Sequence, residues 1–318
     1  MVVNVPTPED FYTSGKELLN FAWDATATLL VELDNADFYG IEESDMAEVS
    51  TKYWAASKRT LTTALTVIQQ AVELVIKGRI AEVSPYLLIS DAPARWPSPY
   101  EAQPVDFERF RTIDAQDLVK VHDTFAPAQF EPKFIEKLRH LREIRNIVMH
   151  SVGKNVSVQV AEVVESALFM HKSLFPGERW FSVRREFLRG GPYAALGAAQ
   201  YATNNACREA NIVKRLLLPR QVETYLGVDK KQRAYFCPVC LDDADTDAEV
   251  LPVLAVLRPN NREAAEVYCP VCNDVCPIER AEHRQSGCEG NLVSAETGQC
   301  LVCAGWHHDG DDSSDSHA

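Results

Sequence analysis

The sequence predicts a mainly α-helical protein, in which a helical bundle is followed by a helical connector and a small cysteine-rich domain. Apolar residues recur at three- and four-residue steps through long segments of the first 175 residues, which is the helical period. Eight of the nine cysteines lie between residues 237 and 303, a pattern typical of a small domain held by metal ions. We therefore divide the chain into a bundle at 1–175, a connector at 176–235, a two-metal module at 236–306 and an acidic, disordered tail at 307–318.

Four segments of the bundle read as helices. The first covers 9–33, and the second begins at residue 53 and should stop at Val83-Ser84-Pro85, because proline cannot continue a helix. The third covers 131–151 and the fourth 155–174. The apolar stripe of the second helix consists of Leu61, Leu65, Ile68, Ala71, Val72, Val75 and Ile80. Residues 90–113 are rich in proline and predict a long ordered loop over the bundle.

The third helix ends in a combination of residues that favours phosphodiester chemistry. Asn146 and His150 are four residues apart and share one face, and Arg145 lies about 140° round from His150. Arginine is a permanent cation that binds phosphate oxygens through a planar fork, and histidine titrates near neutral pH. The alternative is an ordinary helix whose cationic last turn complements the macrodipole and which ends at Ser151-Val152-Gly153.

Two segments, QQAVELVIKGRIAEVSPYLLI and LRHLREIRNIVMHS, together resemble the HEPN domain, an all-helical ribonuclease family. The resemblance covers about residues 8–175. It implies that Arg145, Asn146 and His150 form the active site, and that two copies of the chain pair with their motifs facing each other. The chain departs from one branch of the family, the nucleotidyltransferase-paired relatives, which have a tyrosine where this sequence has Val152.

The resemblance implies an endoribonuclease, as a toxin or antiviral effector that cuts tRNA or another cellular RNA. Arg145 would stabilise charge on the phosphoryl oxygens, and His150 would act as general acid or base. Asn146 would orient His150 or the phosphate. Attack by the 2′-hydroxyl would leave a 2′,3′-cyclic phosphate and a 5′-hydroxyl, without a catalytic metal. Glu73 on the second helix is a candidate to hold Arg145. The alternative function is a noncatalytic dimeric adaptor whose cysteine-rich module recruits a protein or nucleic acid.

Charge is distributed unevenly along the chain, whose net charge is −14. Residues 176–235 contain eleven basic and five acidic residues, and aromatic residues are interleaved with the basic ones. Such a segment favours RNA binding through phosphate neutralisation and base stacking. It reads equally well as an amphipathic connector, in two helical pieces at 177–189 and 192–217, whose aromatic residues are buried. The residues expected to bind substrate are Arg142, Arg184, Arg185, Lys214 and Arg215.

The strongest local pattern is a set of three Cys-x-x-Cys sequences. We call them knuckle 1 (Cys237 and Cys240), knuckle 2 (Cys269 and Cys272) and knuckle 3 (Cys300 and Cys303). A two-residue gap lets both thiolates face one zinc ion. Disulfides are the competing interpretation, but the sequence starts without a secretion signal, so we expect a cytoplasmic, reducing location and no membrane span. The candidate ligands of two zinc ions are Cys237, Cys240, Cys269, Cys272, Cys276, His283, Cys288, Cys300 and Cys303.

The sequence leaves two ligand pairings open. In the first, knuckles 1 and 2 bind one ion, and knuckle 3 binds the other with Cys288 and either Cys276 or His283. In the second, knuckle 2 joins His283 and Cys288 in a compact finger, nested in a ribbon made by knuckles 1 and 3. We favour the first, because the 28 residues between knuckles 1 and 2 have strand character and predict a hairpin of 250–257 and 264–268.

Both zinc sites are expected to be structural, because four protein ligands leave no position for a catalytic water. The module would then serve recognition, of RNA or of a protein such as an antitoxin, sensor or regulator. Its acidic segment favours a protein partner or, as a hypothesis, an autoinhibitory contact with the basic connector. The segment consists of Asp242, Asp243, Asp245, Asp247 and Glu249. The remaining cysteine, Cys207, is expected to be a core residue of a helix.

Overall fold

The protein is mainly helical and ends in a cysteine-rich region. The computed structural model describes residues 1–97, 104–151, 157–245, 247–248, 250–281 and 288–306, without the side chains of 149–151. The chain divides into two compact units, Met1–Phe175 and Pro176–Ala318. The first boundary agrees with the sequence-based division, whereas the connector and the cysteine-rich module lie in one unit. No helix in the described ranges is long and apolar enough to span a membrane.

The first unit is built from five helices in the described ranges and a short pair of parallel strands. The helices are α1 (Pro8–Asp34), α2 (Met46–Val83), α3 (Ala115–Phe125), α4 (Pro132–Ser151) and α5 (Val160–Leu174). Strand β1 (Val2–Val3) pairs with β2 (Val105–Asp106). All four predicted helices are present, and α2 begins earlier than the apolar stripe indicated, at Met46.

Helices α1 and α2 form a close antiparallel pair. A Cβ atom at Gly15 would lie 2.5 Å from Cγ2 of Val75, and one at Gly78 would lie 2.6 Å from the Tyr12 ring. Only residues without a Cβ allow this approach, so the two glycines set the distance between the helices. At the other end of the pair, the Tyr53 hydroxyl donates to the Leu29 carbonyl at 2.9 Å.

Helix α2 is the centre of the unit, since it contacts α1, α3, α4 and α5. Its apolar stripe is fully buried, with Leu65, Ile68 and Val72 at 0% exposure. Helix α4 buries Phe134, Leu138, Leu141 and Ile144, which leaves Arg145 and Asn146 on its outer surface. The packing of α4 therefore follows from the position of its apolar residues.

The second unit begins with helices that correspond to the predicted connector. These are α6 (Trp180–Arg189), α7 (Tyr201–Leu216) and α8 (Pro219–Leu226). The predicted helix at 192–217 is interrupted, because Gly197 adopts a left-handed conformation with φ of 87° in the segment Ala194–Ala198. Helices α6 and α7 pack together around a buried ion pair, in which Arg184 donates to both carboxylate oxygens of Glu209 at 3.0 and 2.9 Å.

An antiparallel sheet follows the helices in the same unit. Its strands are β3 (Tyr235–Phe236), β4 (Val253–Arg258), β5 (Glu266–Tyr268), β6 (Val275–Arg280) and β7 (Leu292–Ser294), and neighbours in sequence are neighbours in the sheet. A one-and-a-half-turn helix, α9 (Pro238–Asp243), lies between β3 and β4. The predicted hairpin is present as β4 and β5, with Leu257 opposite Val267.

Candidate functional sites

The Arg-Asn-x-x-x-His motif lies in the last two turns of α4. Arg145 and Asn146 are both exposed, and Nη1 of Arg145 donates to Oδ1 of Asn146 at 3.3 Å. His150 belongs to the same helix, and its side chain lies outside the described residues. The neighbouring Ile147 has an exposed fraction of 45%. The helix end thus presents a cation, an amide and an apolar side chain on one surface.

Glu73 of α2 is close enough to this surface to interact with its arginines. Burial raises the pKa of Glu73, and a hydrogen bond from Gln69 together with the charges of Arg142, Lys77 and Arg145 partly opposes the rise. Arg142 has the strongest influence of the three cations. Glu73 is therefore a half-buried carboxyl that faces both Arg142 and Arg145, rather than a solvated surface residue.

Other ionisable residues of α4 connect it to α5. Nε2 of His140 lies 2.8 Å from Oε1 of Glu162, and Nζ of Lys137 lies 2.8 Å from Oε2 of Glu165. These contacts hold the helix that carries the motif against its neighbour. Arg139 is exposed on the same helix.

The five residues expected to bind substrate do not share one environment. Arg142 is half-buried and Arg215 is exposed. Lys214 is half-buried, and this burial lowers its pKa. Arg184 and Arg185 are buried, which corrects their interpretation as RNA ligands: Arg184 binds Glu209, and Arg185 points to knuckle 1. Their charges compensate charge inside the unit, so neither can reach a phosphate on the surface.

Knuckles 1 and 2 come together in a buried cluster. The four sulfur atoms lie within 4.8 Å of one another and can hold a metal ion. Sγ of Cys237 lies 3.5 Å from that of Cys272, and Sγ of Cys240 lies 3.8 Å from that of Cys269. A tetrahedral ion with metal–sulfur bonds of about 2.3 Å requires sulfur separations of about 3.8 Å, so the cluster fits such an ion. The exposed fractions of the four residues are between 0 and 7%.

The first ligand pairing is therefore the one that the fold adopts. The second pairing, a finger of knuckle 2 nested in a ribbon of knuckles 1 and 3, is excluded because knuckle 2 shares its site with knuckle 1. The hairpin of β4 and β5 explains the choice, since it returns the chain from one knuckle to the other.

Two further cysteines lie beside this cluster. Hydrogen bonds from Cys207, Cys237 and Cys269 lower the pKa of the Cys240 thiol to about 5, which favours the thiolate that binds metal. Cys207, on α7, is fully buried as expected, but its place next to Cys240 was not predicted. Cys276 lies beside Cys237, whose hydrogen bond lowers its pKa. This position corrects the proposal that Cys276 belongs to the second metal site.

A second cluster contains Cys288 and knuckle 3, with the three sulfur atoms within 4.8 Å of one another. Sγ of Cys288 lies 4.0 Å from that of Cys300, and it accepts a hydrogen bond from the Gly290 N–H at 3.3 Å. These are the members of the cluster within the described ranges. The other predicted ligand, His283, lies outside them.

Knuckles 2 and 3 have the same backbone turn. The residue after each second cysteine, Asn273 or Ala304, has a positive φ of 66° or 61° and donates its N–H to the carbonyl of the first cysteine. The first cysteine donates its own N–H to the carbonyl of the residue five positions later, Asp274 or Gly305. Asparagine adopts this conformation readily, so Asn273 is a signal of the turn in the sequence. Knuckle 1 instead enters helix α9.

The acidic segment after knuckle 1 contacts the connector helices. Asp243 accepts from Arg189 of α6 and from Thr203 of α7. Asn204 donates to the carbonyls of Asp245 and Val250 and accepts from the Asp245 N–H. The contact between acidic segment and basic connector, expected as a hypothesis, is thus part of the packing of one unit.

Comparisons with protein-family models, with curated proteins and with solved structures found no match to this chain. Its function is therefore inferred from the residues and their geometry.

Proposed function

We propose that the protein is an endoribonuclease of the HEPN type, whose active site is formed by Arg145, Asn146 and His150. The observation that carries the proposal is the exposed Arg145–Asn146 pair near the end of α4, together with the half-buried Glu73 beside it. An exposed arginine that donates a hydrogen bond to the neighbouring Asn146, with the charge of Glu73 near it, is suited to bind a phosphate. The order of the three motif residues agrees with the family that the sequence resembles.

The proposed reaction is transfer of the phosphoryl group to the neighbouring 2′-oxygen. The 2′-hydroxyl loses its proton and attacks phosphorus, while the bond to the 5′-oxygen breaks and that oxygen gains a proton. His150 acts as general acid or base, and Arg145 neutralises charge on the phosphoryl oxygens. Asn146 orients the arginine, with which it forms a hydrogen bond of 3.3 Å. The products are a 2′,3′-cyclic phosphate and a 5′-hydroxyl, and no metal takes part.

The proposed active form is a homodimer in which two motifs face each other. This arrangement rests on the resemblance to the HEPN family, and the exposure of Arg145 and Asn146 on the surface of the unit is compatible with it. A toxin or antiviral effector that cuts tRNA or another cellular RNA is the biological role we infer. Arg142 and Arg215 would contribute to RNA binding as positive charges.

The cysteine clusters are proposed to hold two structural zinc ions. Closely spaced thiolates are soft ligands that zinc prefers, and they are buried in the first cluster and partly exposed in the second. His283 remains as the fourth ligand of the second ion, because Cys276 lies beside Cys237. The zinc module would recruit RNA or a regulatory protein.

A noncatalytic adaptor is the second candidate. It is favoured by the burial of Arg184 and Arg185, which reduces the cationic surface available to RNA. In this case the bundle would dimerise and the zinc module would bind the partner.

Cleavage of RNA by the purified chain distinguishes the two. RNA is incubated without added divalent ions, and new 5′-hydroxyl ends are mapped by ligation and sequencing. We expect cleavage by the wild type and its loss in His150→Ala, because general acid–base catalysis contributes about 10²–10⁴-fold. The matched control is His140→Ala, which removes a histidine bonded to Glu162 on the same helix.

Metal content measured after the reaction shows whether the zinc module stayed intact. In cells, expression of the wild type should arrest growth, and His150→Ala should not. Equal cleavage by wild type and His150→Ala, or toxicity that survives the substitution, would refute the ribonuclease and leave the adaptor.

A further inference from the structure

Arg185 of α6 is a buried cation at the edge of the first cysteine cluster. Its Nη1 lies 4.0 Å from Sγ of Cys240, its exposed fraction is 8%, and Nε has no hydrogen-bond partner among the residues that the structure describes. A buried guanidinium is costly unless its charge is compensated nearby. A negatively charged group close to Arg185 is therefore required.

The carboxylates around Arg185 compensate its charge incompletely. Glu186 lies 3.3 Å from Nη2 but is mostly exposed to solvent, which weakens the interaction. Asp243 lies 3.8 Å from Nη1 and is engaged more closely by Arg189. The cysteine cluster is the buried group that Nη1 approaches on its other side.

Four thiolates bound to a metal ion would supply the missing negative charge. Four thiolates around a divalent ion leave a net charge of about −2, and in this protein that charge is buried. An arginine directed at one of the sulfur atoms both neutralises the charge and donates N–H groups to sulfur. Arg185 and the metal-bound thiolates therefore compensate each other.

We propose that Arg185 is a positioning residue of the first metal site, which holds α6 against knuckle 1 and slows the release of the metal. This inference rests on the proposed zinc centre and assigns Arg185 to it instead of to RNA. It also explains why the basic connector and the cysteine-rich region form one unit, because Arg185 of α6 neutralises part of the negative charge of the metal site.

The test is the rate at which zinc leaves the full-length protein. Zinc-loaded wild type and Arg185→Gln are mixed with excess chromogenic chelator, and release is followed by absorbance. We expect one of the two ions to leave about 10–100-fold faster in the variant, which is the usual effect of losing an outer-shell partner. Arg189→Gln is the matched control, since Arg189 binds Asp243 from the same helix. It should release zinc as the wild type does.

The outcomes separate this inference from the zinc centre itself. Wild type that holds no zinc refutes the metal centre. If the wild type holds two ions and Arg185→Gln releases them at the wild-type rate, the role of Arg185 is refuted and the metal centre stands. If Arg189→Gln accelerates release as much as Arg185→Gln does, the effect belongs to Asp243 instead. If circular dichroism shows that Arg185→Gln is unfolded, Arg185→Lys and Arg189→Lys replace the glutamine variants. Faster zinc release in Arg185→Lys, but not in Arg189→Lys, supports the proposal. Equal release rates of the two lysine variants overturn it.

Discussion

The two candidate sites differ in where their charged and polar groups lie. In the first unit, Arg145 and Asn146 are neighbours in sequence and remain exposed. In the second unit, the first metal site combines residues from 237 to 272, and all four are buried. A surface motif depends on its helix only for orientation, whereas a buried cluster depends on the whole fold around it. Substitutions should therefore affect chemistry in the first unit and stability in the second.

The largest effect is expected from Cys240→Ala. Loss of one thiolate opens the first metal site, and structural zinc sites contribute apparent free energies of about 10–16 kcal/mol. Metal analysis should find one ion per chain instead of two, and the second unit should lose its cooperative unfolding transition. Cys207→Ala is the control, because Cys207 neighbours Cys240 but is not a member of the cluster. Retention of both ions in Cys240→Ala would contradict the assignment.

Glu209→Ala tests whether buried charges support the second unit. Removing Glu209 leaves the buried Arg184 without its bidentate carboxylate, and breaking such a pair costs about 3–5 kcal/mol. Glu165→Ala, in the partly exposed pair with Lys137 of the first unit, should cost about 1 kcal/mol or less. Denaturant unfolding of both variants measures the difference, and equal losses would remove the contrast between the units.

Arg145→Ala should affect activity without affecting stability. Loss of a transition-state cation is expected to reduce kcat about 10²–10³-fold, similar to the loss of an oxyanion-hole donor. The melting temperature should stay unchanged, because the side chain is exposed. Arg139→Ala removes an exposed arginine from the same helix and should keep full activity. A large fall in melting temperature for Arg145→Ala would give the residue a structural role instead.

The smallest effect is expected from Glu73→Gln, and it should depend on pH. Burial raises the folded-state pKa of Glu73, so the wild type is favoured at low pH and loses that stability as pH rises from the ordinary glutamate value through the folded pKa. The glutamine does not titrate, so its stability relative to wild type should increase across that window. Cleavage should fall by at most about fivefold, the value of a weak electrostatic interaction with Arg145. Urea unfolding at several pH values checks the first expectation, and a stability difference that is independent of pH would contradict it.

The helices could be predicted where their buried faces are apolar. The stripes of α2 and α4 are continuous, and both helices were expected. Helix α3 was not, because the residues that it buries are Leu118 and the polar His122, whose ring stacks on Phe130 at 3.9 Å. The buried His122 is stabilised by the carboxylate of Asp123, at 2.8 Å, and by the Phe130 ring, and an apolar period does not reveal a polar residue buried in this way.

The candidate sites were predicted to different degrees. The cysteine ligands follow from a two-residue spacing that one turn of chain satisfies, and seven of the predicted cysteines lie in the two clusters. The role of Arg185 could not be predicted, because a charged residue is expected on the surface. Only the packing of α6 beside knuckle 1 shows that Arg185 is buried. For the same reason, the basic residues of 176–235 overestimated the positive charge that this segment exposes.

The sequence by itself determined the local structure of this protein: the helical periods, the positions of the knuckles and the presence of Arg145, Asn146 and His150 near the end of one helix. Tertiary structure decided which knuckles cluster, that Cys276 lies beside Cys237, and that Arg184 and Arg185 are buried. The physical reason is that spacing within one turn fixes local geometry, whereas the pairing of distant residues depends on sheet register and on the compensation of buried charge.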